Sequence, residues 1–186
     1  WEEHINNCHS KDMDFTLDRV HEVAKLADLL RPKAKIITVA GTNGKGTSCA
    51  FLAQILIHYG KSVGVFSSPH LFKINERFNI NGKLVSDDTL SAAFDFIDNI
   101  RGEINLTYFE FCTLAAFKLF QDYKCDIWIL EVGLGGRLDS TNILDADIAL
   151  LTSIDLDHTN ILGCSREKIA QEKIGIFRKN QIIICG

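Results

Sequence analysis

Two stretches of the chain, CDIWILEVG (125–133) and ADIALLTSI (146–154), are apolar almost without interruption. Such runs do not alternate, so they need cover on both faces, as the strands of a parallel sheet packed between helices do. KIITVA (35–40), SVGVF (62–66) and QIIIC (181–185) read as further strands. Helical spacing fills the intervals. Phe15, Leu17, Val20, Val23, Ala27 and Leu30 recur on one face until Arg31-Pro32 stops the run. An amphipathic stretch covers 47–59, and a helix over 87–101 is closed by Gly102. Residues 107–123 are apolar nearly all round, which predicts a buried helix, and 165–177 form the last one. RFNINGKLV (77–85) alternates about Asn81-Gly82, a strong hairpin signal. Strands alternating with helices predict an α/β fold, a mostly parallel sheet flanked by helices with a small hairpin insertion. With 186 residues and no repeat or linker, one domain spans 1–186.

Composition narrows the function classes. The net charge of −4 argues against a nucleic-acid binder that works by bulk electrostatics, so an anionic ligand needs a local positive site. No stretch of about eighteen apolar residues exists and the N-terminal region lacks an apolar h-region, so neither a membrane span nor a signal peptide is expected. The six cysteines contain no C-x-x-C pair and suit reduced, buried thiols in a cytoplasmic protein without a zinc site. The chain begins without Met and ends on IIICG, as a piece of a longer protein would.

In open parallel sheets, ligands bind beyond the carboxyl ends of the strands. Four predicted strands run into polar clusters there: Gly41–Thr47, then Ser67-Ser68-Pro69-His70, then Glu131 with GLGGR (133–137), then Asp155-Leu156-Asp157-His158. The first cluster, GTNGKGT, departs from the usual nucleotide loop G-x-x-x-x-G-K-[ST]: Val39 stands where the first glycine belongs, and Gly46 separates Lys45 from Thr47. It still couples a strand end to a helix start, where free N–H groups and the dipole attract an anion. Gly41, Gly44 and Gly46 permit close approach, Lys45 reaches phosphates, and the Thr47 hydroxyl suits Mg²⁺. A glycine-rich turn with a solvated lysine is the plain alternative for this loop taken alone.

Glu131 ends an apolar strand, where a buried carboxylate needs a partner, either a nucleotide-bound Mg²⁺ or a cation such as Arg137. His158 is a possible metal ligand. Thr107 and Glu110 fit a capping box, with Phe109 as core. Lys173 reads as a solvated helix lysine.

The ordered series AGTNGKGT, SSPHL, TYFEF, ILEVGLGGRLDSTN, TSIDLDHTNILG and EKIGIF resembles the folylpolyglutamate synthase/dihydrofolate synthase family of the Mur ligase superfamily, from about Phe15 onward. The resemblance implies a P-loop domain like the Mur ligase central domain, with the family's C-terminal Rossmann-like domain absent from the chain. It implies a cytoplasmic, monomeric ligase that joins L-glutamate to dihydropteroate or a reduced folate, using ATP and an acyl phosphate, with no nucleic-acid or membrane partner. Gly41, Thr42, Asn43, Gly44, Lys45, Gly46 and Thr47 would hold the triphosphate. Thr47, Ser68 and Glu131 would surround one Mg²⁺, and Glu131 with His158 a second. Lys173 matches a lysine that family members carry as a carbamate, so that Lys45, Glu131, His158 and Lys173 make the catalytic set. Thr107, Phe109 and Asp139 would contact the pterin, and Arg77 and Arg137 an anionic group. On this resemblance the chain alone would bind ATP weakly and not ligate.

Three rivals differ in predictable ways. A cell-wall precursor ligase of the superfamily should lack LGGRLDSTN and TYFEF. A plain P-loop phosphotransferase should show the missing glycine and a Lys-[ST] pair. A non-catalytic nucleotide-binding remnant would keep the fold alone.

Overall fold

The computed structural model describes residues 1–9, 14 and 16–186. Phe15, counted above in the first helical run, lies outside the described residues. Among the described residues, seven strands form one sheet: β1 (Lys35–Ala40), β2 (Val63–Phe66), β3 (Phe78–Ile80), β4 (Lys83–Leu84), β5 (Ile127–Glu131), β6 (Ile148–Leu151) and β7 (Ile182–Cys185). Their order is β4-β3-β2-β5-β1-β6-β7, parallel except where β3 pairs with β2 and β4. That antiparallel edge is the predicted hairpin, and its turn residues Asn81 and Gly82 take φ of 52° and 80°. Two successive positive φ values are what a two-residue hairpin of native twist requires.

Among the described residues, seven helices surround the sheet: α1 (Glu2–Asn7), α2 (Asp18–Leu26), α3 (Lys45–His58), α4 (Asp87–Arg101), α5 (Tyr108–Asp122), α6 (Thr159–Leu162) and α7 (Arg166–Lys173). Side chains alternate across the strands and, among the described residues, feed three core clusters. Trp128 and Leu130 of β5 join the core under α2, α4 and α5, while Ile129 joins Ile37 and Val39 beneath α3. Phe117 and Phe120 sit against the Trp128 ring at centroid distances of 5.6 and 5.7 Å. Each such buried aromatic contributes on the order of 2–3 kcal/mol. Ten of the fifteen residues of α5 are buried, as its all-round apolar pattern demands.

Three sequence expectations need correction. Helix α2 ends at Leu26 rather than at Arg31-Pro32, because Asp28 turns left-handed with φ 55°. Helix α3 starts at Lys45, not Thr47. Cys49 and Ala53, with the partly buried Leu52 and Leu56, pack on the sheet, whereas Phe51, Ile55 and Tyr59 are exposed. The last helical stretch splits, with α7 ending at Lys173 and a 3-10 turn covering Ile174–Ile176. Helix α1 and the short turns at Ile74–Arg77 and Ser140–Ile143 carry too few residues to show a period in the sequence.

Because β1, β2, β5 and β6 are mutually parallel, their four carboxyl-end clusters meet at one sheet edge.

Candidate active site

The glycine loop between β1 and α3 is latched to the loop after β6. Thr42 N–H donates to Ser153 O at 2.7 Å, Asp155 N–H to Thr42 Oγ1 at 3.0 Å, and Thr152 Oγ1 to Asn43 O at 2.7 Å. Gly41 has φ 149°, and a Cβ there would lie 1.8 Å from Thr152 Oγ1. Only glycine fits this latch. Gly44, left-handed at φ 82°, caps α3. Among the described residues, the N–H groups of Lys45, Gly46 and Thr47 have no protein acceptor. Three free donors at a helix start are the arrangement that suits an anion.

Two ammonium groups reinforce it by converging on one carbonyl. Lys45 Nζ donates to Gly41 O at 3.2 Å and to Thr42 O at 3.3 Å, and Lys173 Nζ donates to Gly41 O at 2.8 Å. Lys173 is 3% exposed, so the solvated-lysine reading of the sequence was wrong. The last turn of α7 carries it beneath the loop, held because Arg137 N–H donates to Glu172 O at 2.8 Å. Burial and the neighbouring Lys45 charge lower the Lys173 pKa to about 8, against an opposing pull from Asp157. Both causes penalise a second cation.

Glu131 lies under the first turn of α3, its carboxylate oxygens 3.6 and 3.7 Å from where a Gly46 Cβ would stand. It is 4% exposed. Its one hydrogen-bond donor among the described residues is Ser68 N–H, at 3.1 Å. Burial raises its pKa, opposed by that N–H and by the Lys45 and Arg77 charges. The ion pair with Arg137 entertained from sequence does not form. Arg137 is exposed and bonds Glu172, with NH2 to Oε1 at 3.0 Å, so it stands apart from the other site residues. A buried carboxylate with a single donor is a poor final state for the protein but a suitable donor for a hard cation. Thr47 is exposed beside it on α3.

His158 takes φ 47° at the start of α6 and is half-exposed, with Nε2 3.6 Å from Asp157 Oδ1. Among the described residues, no hydrogen bond or ion pair joins it to Glu131.

From Lys45, Ser68 and His158 a cavity of ≈ 490 Å³ runs inward past Arg77 to Tyr108 and Phe109. Arg77 is held by its Nε–H donating to His70 Nδ1 at 2.9 Å, with its guanidinium 5.3 Å over the Tyr108 ring. Phe109 is half-buried and lies against Gly133, where a Cβ would come within 2.6 Å of its Cζ. Thr107 is the N-cap of α5, and both halves of the expected capping box exist: Glu110 N–H to Thr107 Oγ1 at 3.3 Å and Thr107 N–H to Glu110 Oε2 at 2.7 Å. Capping and cavity lining are therefore compatible roles for Thr107.

Asp139 also lines the cavity, yet its carboxylate is already engaged. It accepts from Gly133 N–H at 3.0 Å, Leu134 N–H at 3.1 Å, Thr141 N–H at 2.9 Å and the Thr141 hydroxyl at 2.6 Å. It shapes the GLGGR loop from within, and burial still raises its pKa. Sequence reasoning missed Leu17, Tyr108 and Leu138 on these walls, and their apolar character gave no signal beyond core.

A family model described as the Mur ligase middle domain matches residues 39–185. The chain is 52% identical over 186 residues to the dihydrofolate synthase/folylpolyglutamate synthase of Haemophilus influenzae, covering 100% of this chain and 42% of that protein. A solved structure, E. coli FolC in complex with DHPP and ADP, superposes with a TM-score of 0.97 at 50% identity, covering 100% of this chain and 45% of the other. A bifunctional folylpolyglutamate synthase/dihydrofolate synthase with Mn, AMPPNP and L-glutamate bound gives 0.93 at 51% identity, again over 100% of this chain and 45% of the other. The chain thus spans less than half the length of the relatives it matches. On this sequence match and on the parallel sheet with its glycine loop, the chain belongs to the Mur ligase family.

Proposed function

We propose that residues 1–186 carry the ATP- and pteroate-binding part of a cytoplasmic, monomeric ligase that joins L-glutamate to dihydropteroate or a reduced folate. The observation that carries this reading is the continuity of one cavity, which leads from an anion seat at Lys45 to the aromatic walls of Tyr108 and Phe109. A substrate with a flat ring at one end and a carboxylate at the other matches both ends. The relatives whose structures hold DHPP with ADP, or AMPPNP with L-glutamate, support the same reading.

Gly41–Thr47 would hold the triphosphate through free N–H groups and Lys45. A substrate carboxylate oxygen attacks the γ-phosphorus and ADP departs, leaving an acyl phosphate. The glutamate amine adds to the acyl carbon, phosphate leaves, and the amine proton passes to solvent. Such chemistry asks for positioning and charge neutralisation more than for a protein nucleophile. Thr47, Ser68 and Glu131 would hold one Mg²⁺, and Glu131 and His158 a second, since the under-satisfied Glu131 carboxylate fits a divalent cation. The bound metal supplies neutralisation of the phosphate oxygens. Thr107, Phe109 and Asp139 would border the ring, and Arg77 would face an anionic group. Arg137 is placed less favourably, since Glu172 already neutralises it.

Lys173 would act as a carbamate. Its neutral amine adds to CO₂ and loses a proton, which replaces one of two crowded cations with an anion. With a folded pKa of about 8 against an ordinary 10.5, the amine is neutral in roughly one molecule in ten at pH 7 and in half near pH 8. The linkage has a definite sign. Between about pH 8 and 10.5 the unfolded chain keeps a proton that the folded chain has lost, so stability rises with pH there. With ¹³C-bicarbonate, an adduct signal should grow from about pH 6.5 to about pH 8.5 and vanish in Lys173→Ala. A signal that is flat with pH would contradict the assignment.

The function is tested by following labelled glutamate into dihydropteroate and into tetrahydrofolate with the full-length protein. ATP-dependent incorporation into at least one is expected. Incorporation into neither, with a cell-wall precursor accepted instead, would defeat the reading.

A further inference from the structure

Arg19 is poorly placed for the helix that contains it. It stands in the first turn of α2, where a cation opposes the helix dipole. Its Nε is buried with no hydrogen-bond partner among the described residues. Both features cost stability, so something else must hold the side chain there. Its two terminal nitrogens do. NH1 lies 3.0 Å from Asp14 Oδ2 and donates to Thr16 Oγ1 at 3.0 Å, while NH2 donates to both Glu110 oxygens at 3.1 and 3.3 Å. Glu110, 4% exposed, in turn receives Thr107 N–H at the cap of α5.

These partners are not scattered. Asp14, Thr16, Thr107 and Glu110 all line the cavity. A single guanidinium therefore ties two lining segments, 14–16 and the first turn of α5, to each other. The planar fork of arginine addresses three acceptors at once, which an ammonium on a flexible stem does not reproduce.

We propose that Arg19 is a positioning residue for the ring-binding half of the cavity, holding the wall of Asp14 and Thr16 against the first turn of α5 so that a flat heteroaromatic ring fits between them. It acts through Glu110 and Thr107 and touches no phosphate. The inference rests on the pteroate reading above.

Removing Arg19 alone leaves a buried carboxylate, so loss of folding could obscure the result. Arg19→Met combined with Glu110→Gln removes both charges and keeps a glutamine able to complete the capping box. Dissociation constants for dihydropteroate and for an unreactive ATP analogue with Mg²⁺ are measured on the full-length protein, with thermal midpoints alongside. The double variant should fold and bind the nucleotide within about twofold of wild type, but bind dihydropteroate at least about tenfold more weakly. Arg19→Lys should fall between the two. Unchanged dihydropteroate binding in the double variant, or equal weakening for both ligands, overturns the role of Arg19 while leaving the pteroate reading intact. Failure of the wild type itself to bind dihydropteroate overturns both.

Discussion

Gly41→Ala should sharply weaken nucleotide binding, and Gly41→Ala with Thr152→Ala should restore part of it. A Cβ at Gly41 meets Thr152 Oγ1 at 1.8 Å, Thr152 Cβ at 3.0 Å and Thr152 N at 3.2 Å, at a φ of 149° that side chains seldom adopt. The loop must then leave its latch on the strand β6 side. The three free N–H groups of α3 and the two ammoniums that meet on Gly41 O move with it. A clash of this kind costs about 1–3 kcal/mol in stability, but affinity should fall at least about a hundredfold, because displacement of the whole anion seat removes several charge-assisted bonds together. Deleting the Thr152 hydroxyl removes the worst contact and leaves the two milder ones, so rescue should be partial. Isothermal titration with an unreactive ATP analogue reads both outcomes. Wild-type affinity in Gly41→Ala would show that the loop is not the nucleotide seat.

The second large effect is expected at Glu131. Its folded pKa is raised, so the folded chain binds more protons than the unfolded one between the ordinary and the raised value, and stability falls as pH rises through that window. The ionised carboxylate is therefore a burden at neutral pH unless a cation joins it. Glu131→Gln lifts that burden, so the metal-free variant should be as stable as wild type or more so. The same change should lower kcat by on the order of 10²–10⁴-fold. Mg²⁺-nucleotide at about a hundred times its dissociation constant should stabilise wild type by roughly 2.7 kcal/mol, and the variant by much less. A structural carboxylate would behave in the opposite way, with Glu131→Gln costing stability and sparing kcat.

The sheet was legible in the sequence because a strand buried on both faces cannot hide its composition. CDIWILEVG and ADIALLTSI became β5 and β6, on the two sides of β1. The polar clusters were legible for a related reason, since parallel strands must present their carboxyl ends together. Lys173 was not legible from the residues, because a helix of mixed charges gives no sign of which lysine turns inward. Only the motif EKIGIF pointed to it, and burial beneath Gly41 explains why it matters. Arg137 is a conspicuous cation in a glycine motif, and the fold pairs it with Glu172 rather than with Glu131. Arg19 carried no sequence signal at all, since its value lies in joining segments 91 positions apart in the chain.

The central claim is that the substrate carboxylate is activated by the γ-phosphate within this site. It is tested most directly with dihydropteroate or tetrahydrofolate labelled with ¹⁸O in the reacting carboxyl group, turned over by the full-length protein with ATP and L-glutamate. The oxygen that attacks phosphorus stays with phosphate when the amine displaces it, so one ¹⁸O atom should appear in inorganic phosphate for each amide formed. Amide formation with unlabelled phosphate would contradict the account.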